Sequence, residues 1–156
     1  MKGDAKVLQL LNTCLGNELI AINQYFLHAR MFKNWGLDEL NEHEYKKSIA
    51  DMKHADKIIE RVLLLEGLPN LQKLGKLLIG EDTEEMLNCD LSLQTTVMAD
   101  IKSAIAYCEG AADFVSRDLL VDILESEEDH TDWIETQQGL IKNIGIENYM
   151  QSMIHS

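Results

Sequence analysis

Proline is nearly missing from this chain: Pro69 stands alone in 156 residues. The residue that most reliably breaks helices is therefore absent from every long stretch on either side of it. Aromatic residues are sparse, at 6%, while Leu, Ile, Ala, Glu and Lys are abundant, a balance that favours long helices over many short strands. Cysteine is scarce too. Cys14, Cys89 and Cys108 are odd in number and form no Cys-x-x-Cys pair, so they read as reduced thiols of a cytoplasmic protein rather than a secreted disulfide framework. No aliphatic run exceeds four residues, Val62 to Leu65 being as long as any, which is far short of a membrane span. Basic residues are outnumbered, 14 Lys and Arg against 27 Asp and Glu, for a formal net charge of −13. A surface of that sign disfavours nucleic acid and anionic membranes as partners and attracts cations. The length suffices for one core without staples, so residues 1–156 are expected to form a single, soluble, all-α domain.

Gly, Pro and short polar residues collect at Gly36, at Gly67-Leu68-Pro69-Asn70, from Gly75 to Asp82, from Gly110 to Asp113, and at Gly145. These breaks predict helices near Asp4–Trp35, Asp38–Glu66, Thr83–Glu109 and Asp113–Ile144, and a short fifth over Glu147–His155. Asp4, Asp82 or Thr83, and Asp113 are the candidate N-caps. The one long connection, Gly67 to Asp82, carries Leu71, Leu74, Leu77, Leu78 and Ile79, so it should cross the bundle end to end while packed on it. Four long helices with one long crossover is the ferritin-like arrangement.

Projection of each helix at about 100° per residue brings out the chemistry. In the first, Glu18 falls in the middle of an apolar arc made by Val7, Leu11, Leu15, Ile22, Tyr25 and Ala29. In the fourth, Glu127 and His130 sit on the arc of Leu120, Ile123, Leu124, Ile134 and Ile141. The second places Asp51 and His54 on the arc of Leu40, Ala55, Ile58, Val62 and Leu65, and the third centres Gln94 among Leu87, Leu91, Met98, Ile101 and Ile105. Taken singly, a core histidine bonded to a carbonyl or a solvated glutamate would explain each position. Six inward polar positions on four helices need a common cause, because a buried unpaired carboxylate neutralises or admits a cation. One acidic-type residue from each of two helices, plus an acid-x-x-His pair from each of the others, is the di-iron or di-manganese carboxylate pattern. Oxygen donors with imidazole suit those metals, whereas structural zinc would more readily recruit cysteine.

The segments Leu15-Gly16-Asn17-Glu18-Leu19-Ile20-Ala21-Ile22-Asn23-Gln24-Tyr25-Phe26, Met52-Lys53-His54-Ala55-Asp56, and Ser116 to Leu120 with Leu124 to Glu128 closely resemble the bacterioferritin family, and the resemblance runs over the whole chain. It implies a hollow shell of 24 subunits built from dimers, which oxidises iron(II), stores the ferric mineral and binds haem b between paired subunits. Carried over residue by residue, the family's ferroxidase ligands fall on Glu18, Asp51, His54, Gln94, Glu127 and His130. Two of these positions depart from the family pattern, which has Glu at both. Asp51 is one methylene shorter where the bridge between irons belongs, and Gln94 replaces a carboxylate by a neutral amide. Lys46 and Ala50 stand where some relatives have the His and Asp of an inner-surface iron site. This subunit's own centre is therefore expected to be weak, more so at the second metal position than at the first. Some bacterioferritins of this kind co-assemble with a second subunit whose di-iron site is intact. A fully active ferroxidase, another di-iron redox enzyme or a smaller DNA-protecting shell of the same fold, and an interaction module with an extinct metal site are the competing readings.

Met52, one step past Asp51, must point off the inward face. With Tyr45, Ile49, Ile59 and Leu63 it forms a second stripe on the same helix, matched by Leu19, Asn23 and Phe26 on the first, which reads as a two-fold dimer interface. Spacing alone makes Met52 interface packing. The resemblance makes it the axial haem ligand, paired with its own copy, with Leu19, Asn23, Phe26, Tyr45 and Ile49 as the haem surround. It also implies a small iron–sulfur ferredoxin docking on the crossover around Leu68, Pro69, Lys76, Leu77, Glu81 and Glu85.

Overall fold

Aspartates open three of the four long helices in the computed structural model, which describes residues 1–72 and 75–154. Asp4 accepts from the amides of Lys6 and Val7 at 2.8 and 3.1 Å and starts α1, Ala5–Asn34. Asp82 accepts from Glu85 N at 2.8 Å ahead of α3, Thr83–Gly110, and Asp113 accepts from Ser116 N at 3.0 Å ahead of α4, Phe114–Ile144. Each side chain satisfies amides that the helix itself leaves unpaired. Helix α2, Asp38–Leu64, has no side-chain cap; instead Glu39 N donates to Met153 O at 3.1 Å. The C-terminal segment thus supplies the missing acceptor. Helix α5 spans Ile146–Ser152, shorter than the expected Glu147–His155, because the chain turns at Met153 with its amide on Met150 O. His155, the expected end of that helix, and Leu74 of the crossover lie outside the described residues.

The turn at Gly36, which has φ +79°, folds α2 back along α1, and the turn at 111–113 does the same for α3 and α4. Asp4, at the start of α1, accepts from Tyr107 Oη near the end of α3 at 3.1 Å, so these two helices also run antiparallel. Around the bundle the neighbours are α1 with α2, α2 with α4, α4 with α3, and α3 with α1. The crossover returns along α1, where Asn70 N donates to Asn12 Oδ1, Leu78 N to Gln24 Oε1 and Gly80 N to His28 Nε2. Gly80 must be glycine for space, since a Cβ there would meet Met86 backbone nitrogen at 2.5 Å. Leu77, Leu78 and Ile79 are half-buried, whereas Leu71, expected to pack inward, is exposed. Its neighbours in the turn hold their backbone by polar bonds to α1 instead.

The apolar interior is divided. One cluster, with Val7, Leu11, Leu15, Ile58, Val62, Ile101 and Leu120, fills one end; a second, with Phe32, Leu40, Met86, Leu87, Ile134 and Tyr149, fills the other. Between them every helix presents buried polar side chains at the same level, and that layer holds the candidate site. Among the described residues, no helix is long and apolar enough to cross a membrane.

All three cysteines are free. Burial, reinforced by nearby Asp100, pushes the Cys14 thiol up to about 12, and burial with Asp113 pushes Cys108 up to about 11. A thiolate-specific reagent such as dithionitrobenzoate should therefore label the folded protein at one thiol per subunit at most, Cys89, and at three after denaturation; rapid labelling of Cys14 or Cys108 in the folded state would contradict this packing.

Candidate metal centre

Four side chains from three helices converge in the polar layer. One ligand atom each from Glu18 on α1, Asp51 and His54 on α2, and Glu127 on α4 lie within 4.8 Å of one another. His54 Nδ1 stands 3.4 Å from Glu18, 3.4 Å from Asp51 and 3.2 Å from Glu127, pointing into the triangle of carboxylates. Both oxygens of Glu18, Oδ2 of Asp51, Oε1 of Glu127 and Nδ1 of His54 are buried without a hydrogen-bond partner. Convergent orphaned donors of this kind are what a bound cation satisfies. Three carboxylate oxygens with one imidazole fit a first divalent metal such as iron.

The second position is different. Gln94 Oε1 accepts from Tyr25 Oη at 2.7 Å, and its amide nitrogen donates to Glu127 Oε2 at 2.7 Å. The amide thus presents its donor end to the centre and keeps its carbonyl turned to tyrosine. His130 is buried with Nε2 unpartnered and meets the Tyr25 ring edge-on at 4.9 Å. Beside it His43 stacks on Trp133 at 3.6 Å. Most telling is Lys47, which sequence reasoning passed over. Its Nζ lies 2.5 Å from Asp51 Oδ1 and 3.0 Å from Glu127 Oε2, and 4.8 Å above the Tyr25 ring. Among the described residues, no second group of three or more metal-ligating side chains forms around His130.

The charges in this layer balance internally. Burial works against the Lys47 ammonium, but Asp51, Glu127 and Glu18 together hold its pKa above the ordinary lysine value. Burial likewise opposes charge on His54, yet the same three carboxylates raise it to about 11. Glu127 is pulled well below the usual carboxylate range in spite of its burial, by Lys47 and then by His54. Glu18 goes the other way: burial, with Asp51 and Glu127 beside it, pushes it well up. Asp51 is also raised by its burial, against the pull of Lys47. His130 is driven well below its ordinary value by burial and then by Lys47, so its imidazole is neutral.

A second buried group, His28, Glu44 and Asp90, lies nearer the other end of the layer. His28 Nε2 accepts from Gly80 N, so its Nδ1 carries the proton donated to Asp90 Oδ1 at 2.9 Å. Gln24 also donates to that oxygen, and Glu44 is pushed well up by burial and by Asp90, which keeps it neutral. With both ring nitrogens of His28 engaged, this group is a structural network that ties the crossover to α1 and α3. The projection that placed Asp51 on the inward arc of α2 would also have placed Glu44 and Lys47, seven and four residues earlier; their charge alone argued for solvent.

The residues read as a haem surround lie on the outer face of α1 and α2. Met52 is 52% exposed; Phe26 and Tyr45 are exposed with their rings 6.3 Å apart, and the Arg30 guanidinium lies over both. Leu19 and Ile49 are half-buried, while Asn23 is exposed and donates to Leu19 O.

Comparison with known proteins agrees with this architecture. The profile of the ferritin-like domain family matches residues 8–144. The chain is 46% identical over 149 residues to a protein named bacterioferritin from Mycolicibacterium paratuberculosis, covering 96% of this chain and 94% of that one. It is 44% identical over 158 residues to the bacterial ferritin of Synechocystis sp., covering 99% of both, and 44% identical over 149 residues to the bacterioferritin of Rhodobacter capsulatus, covering 96% and 92%.

Because His54 is raised to about 11, its stabilising contribution is complete below the ordinary histidine value near 6.5 and is lost as pH rises from there toward 11. Metal-stripped protein should melt at progressively lower temperature between about pH 6.5 and 9, and His54→Gln should flatten that slope. Equal slopes in thermal melts of the two proteins would show that His54 is not held charged.

Proposed function

The chain belongs to the bacterioferritin family of ferritin-like proteins, and on that premise we propose that it is an iron-storage subunit that supplies haem to a shell and oxidises iron only weakly by itself. The observation that carries the reading is the altered second half of the centre, where Gln94 offers an amide N–H and Lys47 an ammonium to Glu127. Glu18, His54 and Glu127 would hold a first iron, with Asp51 completing the set, while His130 is left without the carboxylates a second iron needs. Iron(II) is the substrate of such a centre and dioxygen its oxidant. Gln94, Lys47 and His54 each meet Glu127, and Lys47 also meets Asp51, so these residues act as a unit. In this reading the shell has 24 subunits built from dimers, in the cytoplasm, and rapid iron oxidation comes from a second bacterioferritin subunit with an intact site.

Haem b would sit on the outer face of α1 and α2 at a two-fold axis. What supports this is a 52% exposed Met52 amid an apolar stripe that a flat macrocycle would cover. The face fits: Met52 offers a soft sulfur, and Phe26, Tyr45, Ile49 and Leu19 offer apolar walls, with Asn23 at the edge. Haem supplies an electron relay, and this chain's contribution is to hold it between two copies.

Three measurements test the proposal. Purified homomeric shell should carry one haem per two subunits, and Met52→Leu should abolish the low-spin bis-thioether absorption; an unchanged spectrum would remove Met52 as ligand. In stopped-flow experiments the same shell should oxidise anaerobically added iron(II) slowly, and a rate typical of an intact ferroxidase would reject the weak-centre reading. Leu68, 84% exposed, stands at the Asn12 end of the crossover, Glu81 and Glu85 follow its His28 end, and Leu77 between them is half-buried; this segment is where a reducing ferredoxin would dock. Leu68→Ala with Glu81→Ala should slow ferredoxin-driven iron release severalfold without changing haem content.

A further inference from the structure

Two of the centre's carboxylates serve two cationic groups each. Glu127 turns Oε1 to His54 Nδ1 at 3.2 Å and Oε2 to Lys47 Nζ at 3.0 Å. Asp51 Oδ1 meets Lys47 Nζ at 2.5 Å and lies 3.4 Å from the same His54 nitrogen, while its Oδ2 and both oxygens of Glu18 are buried without partners. Carboxylates shared in this way between two cations are how a two-metal centre is bridged. Here the second cation is an amino acid.

We propose that the Lys47 ammonium permanently takes the place of the second metal ion, so that the centre holds one divalent metal, at Glu18, Asp51, His54 and Glu127, and one lysine. This deepens the weak-centre reading and rests on it. Lys47 fits the role by charge: Glu18, Asp51 and Glu127 carry three negative charges when metal is bound, and one divalent ion with one ammonium carries three positive. Two divalent ions beside Lys47 would leave two positive charges in excess in a buried layer, which is strongly unfavourable. Lys47 fits by geometry as well. Its side chain is 4% exposed, its ammonium touches two carboxylates, and the Tyr25 face lies 4.8 Å away, a favourable seat for a cation. The same Tyr25 fixes Gln94 through its hydroxyl, so the amide N–H and the ammonium both donate to Glu127 Oε2. That oxygen has no lone pair left for a metal in good geometry. His130, the remaining imidazole, lines the same cavity of about 250 Å³ as Lys47, Lys46, His43 and Asp129, where two ammonium groups outnumber one carboxylate.

The test counts metal ions and does not depend on turnover. Assembled protein is titrated anaerobically with cobalt(II), a stand-in for iron(II) that dioxygen-free buffer keeps in one oxidation state, with calorimetric stoichiometry and d–d absorption as readouts. Unmodified protein should take one ion per subunit at this centre; two, or none, would overturn the proposal. The Asp51→Glu, Gln94→Glu double variant restores ligand length and charge and keeps Lys47 beside Glu127. It should still take one ion, and two would overturn the proposal. Addition of Lys47→Gln to that variant should raise the count from one to two, and an assembled triple variant that stays at one would also overturn it. The double variant decides the matter whether or not the triple variant assembles. Rapid iron oxidation by the unmodified shell rejects the weak-centre reading; two cobalt ions in the double variant with slow oxidation by the unmodified shell rejects only the role of Lys47.

Discussion

A layer of charge buried across the middle of a four-helix bundle has to be neutralised from within, because little solvent reaches it and each unpaired ion would cost several kcal/mol. In this protein the neutralisation is local and specific. Lys47 spans Asp51 and Glu127, His54 faces three carboxylates, and burial pushes the Glu18 and Glu44 carboxyls well up. The layer separates two apolar clusters that would otherwise be continuous. Its residues therefore fix the register of all four helices: a shift of any one by a turn would leave a charged group opposite leucine.

The same layer anchors the long crossover. His28 and Gln24 reach Asp90 on α3 with one face and the amides of Gly80 and Leu78 with the other. Those bonds give a segment without helical structure two fixed points along α1. At Gly80 the backbone comes so close to Met86 that no side chain fits. The polar layer and the path of the crossover are thus parts of one hydrogen-bonded system, and the α3 start is set by both.

Helix α2 carries two faces with different tasks. Lys47, Asp51 and His54 point into the bundle, while Tyr45 and Met52 point out. Met52 directly follows Asp51, so the proposed haem site and the metal centre are separated by little more than the thickness of one helix. A subunit that has given up much of its own oxidising power can, in the proposed role, still serve a shell through the outer face, since nothing on that face depends on the second metal position.

Helical periodicity was enough to place Glu18, Asp51, His54, Gln94, Glu127 and His130 inward, because an apolar arc at 3.6-residue spacing leaves a polar residue at its centre nowhere else to go. Aspartate caps and glycine breaks were equally legible, since their physics is local. The resemblance to the bacterioferritin family located the departures at Asp51 and Gln94. It did not reveal Lys47 or Glu44, although both lie on the same arc, because a charged residue on a helix is ordinarily solvated and only its neighbours on other helices decide otherwise. Nor did it reveal which way the Gln94 amide turns: the Tyr25 hydroxyl, 69 residues away in sequence, takes the carbonyl and leaves the N–H for Glu127. Which residues face inward follows from the order of the side chains along each helix. Which atom meets which, and so whether a second metal or a lysine stands among the carboxylates, follows only from four helices packed together, where burial removes water as a competing partner and every donor must find its acceptor within the fold.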